Sequence, residues 1–404
     1  MKVLIISAAF PPMRAGEAYH VLHLSQHLAD RGLDIHVLTT KGNGLTGDFP
    51  FRVYPLMRNW SWLDLPRLAK FLKGCSPDAV LLIYSDSPYN SHPMITFAPT
   101  FVKALMPSTV FVTQFENEYS SLCASRVTRA LLKAIRQYVR PENIDYTLGT
   151  LLRASDRIIV LSQRHLLQLS GSFAGVRSKT VVIPPPPIMR MYPGNNGVSR
   201  QRGREALGVR PDDVLIAHFG YIYSNRGVET LLTALQIVCN QRGNVRLLMI
   251  GGRLAASASP AYAQEIDKLA KYLTIGDKII WTGEFAWDSE MASLYLHAAD
   301  ACVLPFANGV TLSSSSLAAA AAHSLPIVTT KGEILESAFI DQKNVVLCLP
   351  QDPESLAATI DSLIDNHELR QRLSVGATEL AREWFSWEKA IEGTIGALKR
   401  QRGK

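Results

Sequence analysis

Apolar runs alternate with segments of helical period along almost the whole chain. In the first part the runs are VLIIS (3–7), IHVLTT (35–40), AVLLIYS (79–85), TVFVTQF (109–115) and RIIVLS (157–162), with a helix expected over about 17–31. Runs without a polar face predict strands buried on both sides, and strands separated by helices predict a parallel sheet with helical cover. The rhythm restarts at DVLIAHFGYI (213–222) and continues through VRLLMIGG (245–252), KIIWTG (278–283), ACVLPF (301–306), PIVTT (326–330) and VVLCLP (345–350). Two doubly wound, Rossmann-like α/β domains follow, over residues 1–183 and 205–384. Residues 184–204 open on four consecutive prolines and continue Gly-, Asn- and Arg-rich without apolar period, which reads as a linker and hinge. The closing segment, about 385–404, reads as a helix long enough to cross back onto the first domain.

Composition narrows the class. A chain of 404 residues suits two domains, and 47% hydrophobic against 19% charged residues argues against wholesale disorder. Lys and Arg number 42 against 35 Asp and Glu, a net +7 that favours phosphate-bearing or anionic-membrane partners. The five cysteines (75, 123, 239, 302 and 348) are scattered without a CxxC, so neither a disulfide framework nor a zinc site is expected. The opening MKVLIISAAFPP reads as a buried strand rather than a signal peptide, and no run of 18 apolar residues occurs. The expectation is a cytoplasmic protein, with peripheral contact to the inner membrane face as an option. P-loop, HExxH, GxSxG and kinase motifs are missing from the sequence, which disfavours the usual ATPases, zinc proteases and serine hydrolases.

In open parallel sheets ligands sit beyond the carboxyl ends of the strands, so two such sheets facing each other would form one cleft. The clearest phosphate signal is NGVTLSSSSLAAAAAHSLPIVTT (308–330), where Asn308, Gly309 and Thr311 lead into Ser313, Ser314, Ser315 and Ser316 and then an alanine run. A helix start of small residues offers backbone N–H groups and a positive dipole end to an anion. An N-capped alanine helix would read the same way, and its place after ACVLPF favours the ligand. In HFGYIYSNRGVETLLTAL (218–235) a strand runs through Gly220 to Arg226 and Gly227. Arg there can grip a diphosphate bidentately while glycine admits the backbone; a solvated arginine in a helix-starting turn is the alternative.

In the first domain, Gly16, Glu17 and His20 open a helix after the first strand and form a candidate acceptor cluster. His23 and His27 share the face of His20, but packed or solvated histidines explain them better than a metal. His92 follows the 79–85 strand and Glu116 the 109–115 strand. Arg126, Arg129, Lys133, Arg136 and Arg140 recur at steps of three and four opposite Val127, Leu131, Ala134 and Tyr138. That is the pattern of a basic amphipathic helix, which suits either a solvated face or anionic lipid.

Taken in order, FPPMRAGEAYHVLHLSQHLADRGLDIHVLT, RASDRIIVLSQ, VVIPPPP, HFGYIYSNRGVETLL, VRLLMIGG, IIWTGEFAWDSEMASLYLHAADACVLPF and SLAAAAAHSLPIVTT resemble the GT-B glycosyltransferases of family 4, the glycogen-synthase-like retaining group. The resemblance covers nearly the whole chain. It implies a nucleoside diphosphate sugar bound by the second domain, a glycan or lipid-linked acceptor on the first, retention, and no required metal or other cofactor. Nucleic acid is not an expected partner. The family's paired glutamates, eight positions apart, would fall at about Thr311 and Ala319, neither acidic, so the chain reads as atypical. Tyr221 stands where the family has an arginine, and Arg226 stands for its lysine. The family's first-domain histidine would align near Phe115, leaving Glu116 or His92 to substitute, and Gly283 with Glu284 matches a nucleobase-contacting loop. Losing a ribose carboxylate forgoes a charge-assisted hydrogen bond of about 1.5–3 kcal/mol. The leading expectation is therefore a glycosyltransferase of cell-surface polysaccharide or glycolipid synthesis. A non-catalytic glycan-binding or partner subunit, and an epimerase or phosphorylase on the same fold, are the alternatives.

Overall fold

A computed structural model describes residues 1–44, 48–117, 148, 150–173, 175–194, 196–252, 260–286 and 288–400. The chain divides into two compact units, Met1–Ile183 with Trp387–Lys404, and Pro184–Ser386.

The first unit runs β1 Lys2–Ile6, α1 Gly16–Asp30, β2 Asp34–Thr40, β3 Arg52–Met57, α2 Leu65–Cys75, β4 Ala79–Tyr84, α3 Ala98–Leu105, β5 Val110–Phe115, α4 Leu151–Ala154, β6 Arg157–Val160, α5 Gln163–Ser172 and β7 Thr180–Val182. Its seven strands are parallel, in the order β3-β2-β1-β4-β5-β6-β7. Ile5 pairs with Val37 on one side and Leu81 on the other, so β1 and its neighbours are shielded on both faces, as their unbroken apolar runs require. β3 and β7 escape an apolar-run reading because they lie at the edges: β3 exposes Arg52, Pro55 and Leu56, and β7 exposes Val181. The C-terminal helix Trp387–Leu398 packs on this unit, where Trp387 stacks 4.3 Å from His27 and 6.1 Å from His23. Those two histidines are packing residues.

The second unit runs α6 Asn196–Leu207, β8 Val214–Phe219, α7 Val228–Gln241, β9 Val245–Ile250, α8 Pro260–Tyr272, β10 Ile279–Trp281, α9 Met291–Ala298, β11 Ala301–Leu304, α10 Ser315–Ala322, β12 Ile327–Thr330, β13 Val346–Cys348, α11 Pro353–Asp365 and α12 His367–Trp384. Its sheet is again wholly parallel, in the order β10-β9-β8-β11-β12-β13.

The expected linker, 184–204, is not a free connector: it lies in the second unit and its end is helix α6. Tertiary bonds override the missing apolar period. Arg200 donates to the Ala298 and Ala299 carbonyls at 3.1 and 2.7 Å and to Asp300 at 2.6 Å. Gly203 lies so close to α9 that a Cβ there would come within 2.5 Å of the Leu294 carbonyl oxygen.

Candidate functional site

Each sheet reverses its winding direction once, between β1 and β4 in the first unit and between β8 and β11 in the second. At such switch points the loops leaving adjacent strands diverge and open a crevice at the carboxyl edge. The candidate residues of both units lie on loops leaving those four strands, or on the loops beside them.

In the second unit, β8 delivers Gly220 and the short turn to Arg226, while β11 delivers the loop 305–314 and the start of α10. The two loops are joined, since the Ala307 N–H donates to the Asn225 carbonyl at 3.1 Å. Arg226 lies between them: its Nη1 donates to Ser316 Oγ at 3.1 Å, and its guanidinium sits 5.0 Å from the Tyr223 ring and 5.4 Å from the Phe306 ring. Arg226 Nε is buried with no hydrogen-bond partner among the described residues. Gly220, at φ +120°, makes this approach possible, because a Cβ there would stand 2.7 Å from Ser316 Oγ. Gly227, at φ +67°, is pressed on β11 so closely that a Cβ would meet the Pro305 carbonyl oxygen at 1.9 Å. Neither position tolerates a larger residue without moving the loop that carries Arg226.

Below Arg226, His218 is fully buried, bonds through Nδ1 to the Val303 carbonyl at 2.9 Å, and is held neutral. Burial, opposed by that bond and reinforced by the Arg226 charge, pushes its imidazole down to about 4. The neighbouring cation is thus not duplicated, and the local charge stays at one guanidinium. Beside Gly220, the Tyr221 ring and the Glu284 side chain both crowd Gly252, where a Cβ would come within 2.8 and 2.5 Å of them. Gly251 bridges to Gly283, so the ends of β8, β9 and β10 form a continuous ledge next to the arginine.

The serine-rich start of α10 is organised mostly for its own stability. Ser314 is the N-cap, its Oγ accepting the Leu317 N–H at 3.2 Å, and Thr311 and Ser313 share a hydroxyl bond of 2.7 Å. Ser316 alone is turned to Arg226. What remains for an anion is the backbone of the first turn, at Ser315 and Ser316, whose N–H groups have no partner inside a helix. Gly309, at φ +81°, lets this loop lie against Gly332. Glu336, buried, accepts the Leu312 N–H and anchors the turn. Local sequence carries no sign of Glu336, Phe306 or His218, because their partners are distant in the chain.

Of the two positions where the family's glutamates would fall, Ala319 is fully buried in the core with Ala318, Ala320 and Ala321, and Thr311 is buried with its hydroxyl bonded to Ser313.

In the first unit the switch point gathers Glu17, His20 and Glu116. His20 Nδ1 lies 3.1 Å from the Glu116 carboxylate, and Gln114 Nε2 donates to that carboxylate at 2.8 Å. Burial draws the His20 imidazole down, but the charge and hydrogen bond of Glu116, with a smaller contribution from Glu17, outweigh it and leave the pKa raised. Glu17 accepts from Ser85 Oγ at 2.8 Å, and Asn117 donates to Ser85 at 2.8 Å. Its carboxyl is pushed up by burial, partly offset by the Ser85 bond, with Glu116 adding repulsion. Two carboxylates around one imidazole suit hydroxyl donors. Gly16 begins α1 at this corner, exposed. Ser85, Gln114 and Asn117 join a cluster that sequence alone suggests only through Gly16, Glu17, His20 and Glu116.

His92 is placed differently. Its Nδ1 accepts the Met94 N–H at 3.1 Å as the cap of a 3-10 turn, and its ring lies 5.8 Å from that of Trp62. The capping bond occupies Nδ1 of the imidazole. Arg126, Arg129, Lys133, Arg136 and Arg140 lie outside the described residues. Among the described residues no group of three His, Cys, Asp or Glu is placed to hold a metal, and no helix is long and apolar enough to cross a membrane.

Residues 199–380 match the family described as Glycosyl transferases group 1. D-inositol 3-phosphate glycosyltransferase of Segniliparus rotundus is 29% identical over 256 residues, 62% of this chain and 54% of that protein. The enzyme of the same name from Xylanimonas cellulosilytica is 26% identical over 252 residues, 60% of this chain and 56% of that protein. The chain thus spans about half the length of the curated relatives it matches. Among solved structures, Anabaena HepE in complex with UDP and glucose superposes with a TM-score of 0.73 at 16% identity, covering 98% of this chain and 99% of that one. Sucrose-phosphate synthase from Thermosynechococcus elongatus gives 0.70 at 17% identity, covering 98% of both. The fold is therefore the GT-B architecture of two Rossmann-like α/β domains, and the residues that match the group 1 family lie within the second unit.

Proposed function

We propose that the protein transfers a sugar from a nucleoside diphosphate sugar to a hydroxyl of a glycan or lipid-linked acceptor, with retention and without a required metal. The observation that carries this reading is Arg226, caged by Tyr223, Phe306 and Ser316 at the switch point of the group 1 segment, with a buried Nε still unsatisfied. In the proposed reaction the bond from the anomeric carbon to the diphosphate oxygen breaks, the acceptor oxygen takes its place, and the acceptor's hydroxyl proton passes to the departing diphosphate. Charge then develops on the departing diphosphate. Arg226 and the first-turn N–H groups of Ser315 and Ser316 are fixed donors for that charge, which need no reorganisation at the moment of transfer. Gly220 and Gly227 let the phosphates approach, and the ledge of Gly283 and Glu284 receives the base. On the first unit, Glu17, His20 and Glu116 would orient the acceptor hydroxyl, with Gly16 leaving the approach open. The relatives named D-inositol 3-phosphate glycosyltransferase, and the HepE structure in complex with UDP and glucose, support the reaction class. The basic segment 126–140 would add contact with an anionic membrane surface, and the cytoplasm would be the working compartment.

The test is thermal shift against UDP, GDP, ADP and TDP sugars, since a ligand that binds only the folded state raises apparent stability. One base should stand out. Arg226→Ala should raise the dissociation constant for that donor by roughly ten- to a hundredfold, the equivalent of a lost charged hydrogen bond of about 1.5–3 kcal/mol. No shift with any donor at millimolar concentration would refute the reading and favour a non-catalytic subunit.

A further inference from the structure

The loop between β3 and α2 pushes two large apolar side chains into solvent. Trp62 is 47% exposed and Leu63 89%, and Leu56, at the end of edge strand β3, is 40% exposed. Scattered exposed apolar residues are ordinary, but this pair is held out by a built loop. The Asp64 carboxylate, itself buried, accepts the backbone N–H groups of Arg58, Asn59 and Trp60 at 3.3, 2.9 and 3.0 Å and pairs with Arg67. Trp60 is fully buried with φ +54°, a strained conformation for a bulky residue, and its Nε1 donates to Thr40 at 2.8 Å. Such strain persists only where the surroundings over-determine it. The Trp62 ring is also seated, 5.7 Å from Phe97 and 5.8 Å from His92, so His92 braces the projection.

Between Phe49 and Pro77 the sequence holds five cations and a single acid, Asp64. Arg58 is exposed beside it, and α2 carries Arg67, Lys70 and Lys73 three residues apart on the face opposite buried Leu68 and Leu72. The acid of the loop, Asp64, is consumed by its three N–H partners and Arg67. A protruding tryptophan–leucine pair, backed by a cationic stripe, matches the layered chemistry of a bilayer surface. The indole and the aliphatic chain sit at the headgroup–acyl boundary, and lysine stems reach back to anionic phosphates. We infer that Trp62 and Leu63, with Arg58, Lys70 and Lys73, form a peripheral docking surface for an anionic lipid bilayer, separate in sequence from the 126–140 segment and independent of the transferase reading.

The test is co-sedimentation of the full chain, without donor or acceptor, with phosphatidylcholine vesicles and with mixed phosphatidylcholine–phosphatidylglycerol vesicles. Binding should be selective for the anionic vesicles and weaken as salt is added. The double variant Trp62→Ser/Leu63→Ser should lose about tenfold or more in partitioning, and Lys70→Glu/Lys73→Glu about tenfold or more on the anionic vesicles. Trp62→Phe/Leu63→Ile should retain most of it. Circular dichroism and the melting temperature of each variant establish that it is folded. Wild-type binding by both folded double variants, equal binding to the two vesicle types, or no binding by the wild-type chain would each overturn the inference.

Discussion

Replacing Gly220 by alanine separates the two constraints that this position satisfies. The first is backbone strain, since φ there is +120°, and holding an alanine in a sparsely populated region costs about 1–3 kcal/mol. The second is contact, because the new methyl would lie 2.7 Å from Ser316 Oγ and 3.4 Å from Arg226 Nη2. The serine hydroxyl is the part that can move. Its rotation breaks the 3.1 Å bond from Arg226, and a bond to a charged partner is worth about 1.5–3 kcal/mol. Gly220→Ala should therefore destabilise the second unit by about 2.5–6 kcal/mol. Ser316→Ala alone removes the same hydrogen bond without straining the backbone. In that background Gly220→Ala should cost only its backbone share, so the double variant falls short of the sum of the singles by about 1.5–3 kcal/mol. Urea unfolding of the four proteins at neutral pH, with slopes compared to verify that the same surface is exposed, measures the cycle. Additivity within about 0.5 kcal/mol would refute the picture of Gly220, Ser316 and Arg226 as one packed unit.

Stability should also fall on the acid side. Burial pushes His165, His218 and His323 down to about 4 from an ordinary 6.5, with neighbouring charges assisting. Each is neutral in the folded chain, so the unfolded chain takes up protons first as pH drops below 6.5 towards 4. The loss is about 2 kcal/mol per histidine at about pH 5; a flat urea midpoint between pH 7 and 5 would contradict it. His20 has the opposite sign: its raised pKa contributes stability that is present below the ordinary imidazole value and lost as pH rises through the folded value. Glu116→Gln should drop the His20 titration, followed by NMR, below 6.5, because burial is then opposed only by the weaker influence of Glu17. An unchanged titration would show that Glu116 does not set it.

Much of the candidate site was legible because switch-point chemistry sits on short loops that immediately follow strands. Gly220, Arg226 and the serine run could be picked out in this way, as could Gly16, Glu17, His20 and Glu116. Nothing in the local sequence separates a side chain that caps a turn, as His92 Nδ1 does for the Met94 N–H, or one bonded to a neighbouring hydroxyl, as Thr311 is to Ser313, from one that faces a ligand.

The repeated apolar runs determined the fold class by themselves, since strands shielded on both faces must be apolar throughout and parallel pairing demands the intervening helices. They likewise determined that the chain holds two such sheets. Tertiary structure alone decided which loops meet: Arg226 with Ser316, His20 with Glu116, and Glu336 with Leu312 are separated by 90, 96 and 24 residues. It also made a helix of 196–207, bound by Arg200 and Arg204 to the end of α9, and held Trp62 and Leu63 out in solvent on a loop tied by Asp64. Local patterning encodes which face of an element is apolar. The partners of buried polar groups depend on sheet order, which only long-range packing establishes.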